Sequence, residues 1–167
     1  MANFIDFVDI KEQVKKLFLS DQELVNLLCF RGANLADTEN YKLGISSPAK
    51  KLIKTYKYVP ETIEDDNIYI TMASHVEYTN DAAIKSVTVD FFIFCHKSRV
   101  ETLQGNRHDL IADRIDRILN GSLDFPDVGI GKVQLTDADE FIPMDDYYGW
   151  SMTYRLLAFN REGYAIW

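Results

Sequence analysis

Apolar residues recur at Ile10, Val14, Leu17 and Phe18, a spacing of i, i+4, i+7, i+8 that lines one face of a helix. The chain up to Cys29 therefore reads as helical. Asp9 and Glu12 mark a start, because carboxylates there meet free amides and the positive helix end. Ser20-Asp21-Gln22-Glu23 has the form of a capping box, and Leu24, Leu27 and Leu28 give a second short apolar face. Two helices meet at Ser20, or one bends there. Arg31-Gly32-Ala33-Asn34 stops the helical pattern. No clear period runs through residues 30–66, although Ser46-Ser47-Pro48 suits a short helical turn and Tyr58-Val59-Pro60 an extended stretch. A long irregular segment of this kind is a candidate docking loop.

The period changes to two at Ile68. Ile68, Ile70 and Met72 alternate with Tyr69, Thr71 and Ala73. After the turn signal Thr79-Asn80-Asp81, Val87, Val89, Phe91 and Ile93 form a clean core face. The opposite side, Thr88, Asp90, Phe92 and Phe94, turns apolar at its end, as expected of a strand that is central or covered on both sides. Asn106 to Asn120 is the clearest helix, with the stripe Leu110, Ile111, Ile115, Ile118 and Leu119 and a left-handed stop at Gly121. A loop with Pro126 follows. Ile130 to Leu135 reads as a third strand, the acidic stretch Thr136 to Tyr148 as a link, and Trp150 to Phe159 as a fourth strand. The order α-α-β-β-α-β-β predicts an α+β fold, an antiparallel sheet of four or more strands with helices packed on one face. One domain over residues 1–167 is the expectation for this length.

Composition narrows the function. Ten Phe, nine Tyr and two Trp are a heavy aromatic load, which suits both a core and interfaces. A net charge of −8 argues against gripping a phosphate backbone. Lys50, Lys51, Lys54 and Lys57 are a local exception, a small basic patch beside Tyr56 and Tyr58. Cys29 and Cys95 sit among apolar neighbours, as buried thiols do, and no CxxC spacing occurs. No apolar run is long enough for a membrane span and no secretion signal is legible, so a cytoplasmic site of synthesis is expected.

Catalytic chemistry is not signalled. His75, His96 and His108 read as surface or half-buried side chains. Glu64-Asp65-Asp66, Asp137-Ala138-Asp139-Glu140 and Asp145-Asp146 read as solvated loops, although a two-metal hydrolase would use such carboxylates. Gly129-Ile130-Gly131-Lys132 lacks P-loop spacing, and neither GxSxG nor HExxH occurs. The expectation is no enzyme, no cofactor and no metal. Candidate interface residues are Tyr56, Tyr58 and the apolar tail residues Tyr164, Ile166 and Trp167.

Leading helices from Ile10 to Cys29, a hairpin ending in Val89-Asp90-Phe91-Phe92-Ile93-Phe94, the helix Asn106 to Asn120 and a final strand pair together resemble the tail-terminator and neck (head–tail joining, tail-completion) proteins of tailed bacteriophages. Arg107-His108-Asp109-Leu110-Ile111, Ile118-Leu119-Asn120-Gly121 and Gly129-Ile130-Gly131-Lys132-Val133 look most like that family, and the likeness extends over roughly residues 8 to 160. Residues 30–66 are longer than the resemblance implies. It implies a virion protein assembled in the host cytoplasm: a homohexameric ring that ends the tail tube, with the tube protein and a head-completion or neck protein as partners. DNA would pass through the channel without specific binding, as an acidic lumen allows. The alternatives are a head-completion adaptor on the portal side, a small metal-dependent hydrolase using Asp65, Asp66, Asp139 or Glu140 with His75 or His96, and a host protein-binding adaptor.

Overall fold

The computed structural model describes residues 4–62, 65–78, 84–122 and 130–159, and the architecture below is that of these residues. Two helices open it, α1 (Phe4–Ser20) and α2 (Gln22–Cys29). Ile10, Val14 and Phe18 are buried and Leu17 packs against the core, as their spacing predicts. α1 begins ahead of the expected Asp9 start. The break at Ser20 is real, but the cap is the next residue. Ser20 Oγ donates to the Leu17 carbonyl at 2.7 Å, while Asp21 Oδ1 accepts from the Leu24 N–H at 2.9 Å. A carboxylate fills this place well because it also faces the positive end of α2.

Asp21 has a second role. Arg114 donates from Nε to Oδ1 at 2.9 Å and from Nη2 to Oδ2 at 2.7 Å, so one carboxylate caps α2 and ties it to a later helix. Burial alone would raise the Asp21 pKa, but the Arg114 and Leu24 hydrogen bonds outweigh it and hold the group below its ordinary 3.8. A carboxyl depressed in the folded state contributes stability above its unfolded value and loses it as pH falls through the folded value. Asp21→Asn is therefore expected to cost about 1–2 kcal/mol at neutral pH. The difference from wild type should shrink as pH falls below 3.8. Urea unfolding of both proteins at neutral and strongly acidic pH checks this; a gap independent of pH would contradict it.

The remaining elements are β1 (Ile53–Lys54), β2 (Tyr69–Tyr78), β3 (Ile84–His96), β4 (Glu101–Thr102), β5 (Gly105–Asn106), α3 (Arg107–Leu119), β6 (Ile130–Met144) and β7 (Tyr147–Phe159). Five strands form one sheet in the order β1-β2-β3-β7-β6; β4 and β5 make a separate small hairpin leading into α3. The α+β expectation holds, including helices on one face. Added to it is β1, which pairs parallel to β2 and makes the sheet mixed. Three short 3₁₀ turns, Leu35–Asp37, Gly44–Ser46 and Pro48–Lys51, order much of the segment expected to be irregular.

β3 is central, as its two-sided apolar pattern predicts. Val87, Val89, Phe91 and Ile93 are buried in the core. Phe18 of α1 lies 5.6 Å from Phe91, which lies 5.6 Å from Tyr154 of β7. α3 is fastened to β7 at its polar margin: Tyr154 Oη donates to Asp116 Oδ1 at 3.0 Å and Trp150 Nε1 to Asp109 Oδ1 at 2.8 Å. Gly121, at φ 80°, ends α3 as expected. Asn106 stands at the N-cap position without a side-chain cap bond.

The acidic link is not a loop. β6 continues through Asp137, Asp139 and Glu140 to Met144, and the chain reverses at Asp145-Asp146, where Asp146 takes φ 66°. β6 is an edge strand whose side chains from Thr136 to Glu140 are exposed, so charge there does not oppose strand pairing. Lys97 holds the reversal to the end of β3, its N–H donating to the Asp146 carbonyl at 2.8 Å and its Nζ to Oδ1 at 2.7 Å. The turn at residues 79–81 and the Pro126 loop lie outside the described residues.

Two buried arginines secure the far end of α2. Arg107 donates from Nε to the Arg99 carbonyl (2.9 Å), from Nη1 to Leu27 (3.2 Å) and Phe30 (3.0 Å), and from Nη2 to Gly32 (2.7 Å). Arg99 Nη2 adds bonds to Leu28 (3.3 Å) and Phe30 (2.6 Å). Leu27, Leu28 and Phe30 lie at the C-terminal end of α2, where a helix leaves carbonyls unpaired and its dipole is negative. Burial, and then the neighbouring Arg107 charge, push the Arg99 guanidinium down to about 10, still protonated at neutral pH.

Candidate assembly surface

Tyr56 and Tyr58 follow β1 at one margin of the sheet. The Tyr58 ring packs 4.9 Å from Tyr69 and meets Tyr56 edge-on at 6.4 Å. Lys54 Nζ sits 4.9 Å above Tyr58, a cation–π contact. Tyr56 is 55% exposed and Tyr58 half-buried, so Tyr56 is the one of the two free to meet another molecule. Tyr164, Ile166 and Trp167 lie outside the described residues.

Tyr69 opens an aromatic cluster on the sheet face away from the helices. Phe92 and Phe94 both contact Phe141 edge-on, at 6.2 and 6.4 Å, and Phe94 contacts Tyr147 at 6.4 Å. The chain ahead of β2 roofs part of it. Tyr69 Oη donates to Asp65 Oδ2 at 2.6 Å and Tyr147 Oη to the Asp65 carbonyl. Burial, reinforced by Asp65, pushes the Tyr147 phenol up to about 12, so it remains a donor at physiological pH.

The basic patch is larger than the sequence indicates. Lys15 of α1 joins Lys50, Lys51 and Lys54 around an open cleft of about 550 Å³ whose wall includes Ser47, Ile53 and Tyr56. Burial, together with the Lys50 and Lys54 charges and against the opposing pull of Glu12, lowers the Lys15 pKa. Among the described residues, no carboxylate pairs with any of the four lysines. In a chain of net charge −8 this is a concentrated positive site. Lys57, placed in the patch by sequence proximity, is exposed but does not line the cleft.

The opposite margin is acidic. Asp137, Asp139 and Asp145 are exposed on β6 and its turn, with neither an ion pair nor a side-chain hydrogen bond among the described residues. Glu140 differs, since its Oε1 lies 3.2 Å from His108 Nε2. His108 is buried at 2% exposure, a correction to its expected surface or half-buried setting: it occupies the first turn of α3 where that helix meets β6 and β7. Asp109 Oδ1 lies 3.4 Å from the same nitrogen and is itself held by Trp150. His108, Asp109 and Glu140 are the one such group among the described residues, with ligand atoms within 4.8 Å of one another. They offer three ligands to a divalent cation or, with a proton on Nε2, a polar tie between α3 and β6. Asp65, Asp66, His75 and His96 do not join them. His75 instead contacts Thr88 across the β2–β3 pair, and His96 contacts Ser98.

A mixed five-stranded sheet with three helices on one face, aromatic on part of the other and oppositely charged at its two margins, defines an α+β domain. Residues 21–156 match the model of the YomW family, and the chain belongs to that family. The family name is a phage-associated one. No curated protein matches the chain.

Proposed function

We propose that the protein is a structural virion component of a tailed phage, a ring at the head-proximal end of the tail that ends the tail tube and joins it to the head. The element order carries this reading. α1, α2, the β2–β3 hairpin, α3 and the β6–β7 hairpin follow the succession that prompted the resemblance to tail-terminator and neck proteins. Membership of a phage-associated family supports it independently of that likeness. The described residues offer a lysine cleft, an exposed Tyr56 and an acidic strand edge, features suited to contacts between proteins. In this role the chain acts by binding and has no turnover. Its partners are further copies of itself, the tube protein and a head-completion or neck protein, and DNA passes through without specific capture.

Light scattering across a concentration series, with negative-stain images of the largest species, tests the proposal. Six chains of 19.3 kDa make a closed ring of about 116 kDa. A ring alone or on addition of the tube protein is the expected result. A compact monomer under both conditions would overturn it. Binding to the portal side but not to the tube would move the assignment to a head-completion adaptor.

The His108, Asp109 and Glu140 group favours one second reading, a metal-dependent hydrolase. Divalent-metal-dependent phosphodiester cleavage that is lost in Glu140→Gln would establish it. No turnover with Mg²⁺, Mn²⁺ or Zn²⁺ is the outcome expected of a ring component.

A further inference from the structure

The two charged margins lie at opposite ends of the same cross-strand row. Lys54 of β1 pairs with Thr71 of β2, Thr71 with Phe92 of β3, Phe92 with Ser151 of β7, and Ser151 with Asp139 of β6. Across the full width of the sheet, a lysine at one edge therefore stands level with an aspartate at the other. Around Lys54 cluster Lys15, Lys50 and Lys51; beside Asp139 are Asp137 and, at the turn, Asp145. None of Lys15, Lys50, Lys51, Asp137, Asp139 and Asp145 has an ion partner among the described residues.

The backbone at the basic margin is also incomplete. β1 pairs with only Ile70 and Thr71, so among the described residues β2 from Met72 to Tyr78 has no strand beyond it in this sheet. At the other margin, the outer side of β6 is likewise without a neighbouring strand among the described residues. Unpaired strand edges are templates for pairing with another chain unless charge or proline deters it. Met72 to Tyr78 carries the acidic Glu77, so the positive charge of this margin is confined to β1 and the turn before it; there Lys50, Lys51 and Lys54 are opposite in sign to Asp137 and Asp139 on β6, so like margins repel and these unlike ones attract.

From these observations we propose that the occupant of the lysine cleft is the acidic β6 edge of a second copy of this chain, in a head-to-tail lateral contact that places Asp137 and Asp139 of one copy against Lys50, Lys51 and Lys54 of the next. This rests on the ring reading above and deepens it by naming the surfaces that meet. The contact is heterologous: each copy gives one edge and receives the other, the arrangement from which closed rings or open filaments are built. Because the paired charges stand on one row, neighbouring sheets meet side by side without a large shift along the strands.

A charge exchange tests it. Two full-length variants reverse exposed residues only, Lys50→Glu with Lys51→Glu, and Asp137→Lys with Asp139→Lys; circular dichroism and urea unfolding establish that both fold. Sedimentation velocity is then run on the wild type, on each variant and on their equimolar mixture. The wild type should associate. Each variant alone should associate at least about tenfold more weakly, because like charges then face each other. The mixture should regain wild-type assembly, because each reversed edge again finds its opposite. Association of the variants equal to wild type would overturn this contact and leave the ring reading standing. A wild type that stays monomeric at every concentration, with and without added tube protein, would overturn the self-contact. A labelled DNA duplex that binds the monomer and is released by Lys50→Glu with Lys51→Glu would assign the cleft to a nucleic-acid backbone instead. If the reversed-lysine variant still forms rings on added tube protein while the mixture shows no rescue, the ring stands and the proposed edges do not.

Discussion

Replacing Arg107 with methionine is expected to destabilise the fold by about 3–5 kcal/mol. Arg107 is 1% exposed, and the carbonyls its guanidinium serves belong to Leu27, Phe30, Gly32 and Arg99. No carboxylate makes an ion pair with it among the described residues. Its charge is balanced instead by the negative end of α2 and by peptide oxygens. Methionine has a comparable reach and keeps much of the packing, so the loss isolates the hydrogen bonds. Phe30 would retain Arg99 as a donor, but the Leu27, Gly32 and Arg99 oxygens would lose this partner, at about 1–3 kcal/mol for each one left buried and unsatisfied. Local relaxation of the α2 terminus keeps the total below their sum. Arg107→Lys should recover less than half of the loss, because one ammonium cannot span acceptors that a planar fork reaches on three sides. Urea unfolding of the three proteins measures this. Near-wild-type stability of the methionine variant would show that the carbonyl cage contributes little.

Gly149→Ala is expected to be nearly as damaging, at about 3 kcal/mol, for a steric reason. A Cβ at residue 149 would overlap the Ile93 carbonyl oxygen and stand 2.8 Å from its carbon. Those atoms belong to the backbone of the central strand and cannot swing aside as a side chain would. The β3–β7 pairing lapses here, between Phe92↔Ser151 and Cys95↔Tyr148, so the two chains have already adjusted around the close approach. Gly121→Ala is the comparison. Its φ of 80° strains any L side chain, but nothing lies within 4 Å of the added carbon, and a smaller loss of about 1–2 kcal/mol should result. Equal losses at the two positions would argue that backbone strain alone, without the clash, accounts for both.

These features differ in how far the sequence discloses them. The faces of α1, β3 and α3 are legible because burial imposes a period, and Val87, Val89, Phe91 and Ile93 follow it without exception. The positions of caps and ends are less so: Ser20 and Asp21 are adjacent capping residues, and the choice of Asp21 is made by Arg114 from a distant helix. The acidic run Asp137 to Glu140 looks like a loop because polarity on both faces of an edge strand erases the alternation. His108 and Arg107 look like surface side chains because their partners, Glu140 and the α2 carbonyls, are remote in sequence. Three of the four cleft lysines are legible in the sequence, and the fourth is hidden for the same reason. Lys50, Lys51 and Lys54 are close along the chain, whereas Lys15 reaches them only through the packing of α1.

The strand order β1-β2-β3-β7-β6 also sets a schedule for synthesis. β2 and β3 are neighbours in sequence and can pair as soon as both have left the ribosome. The other side of β3 must wait for β7, and everything between His96 and Tyr147 is translated first, several seconds of work at about 5–20 residues per second. During that interval the most apolar strand of the protein, Val87 to Phe94, presents a bare edge to the surrounding cytosol. A nascent chain stalled before Tyr147 should therefore be a chaperone client, and one released just past Phe159 should not.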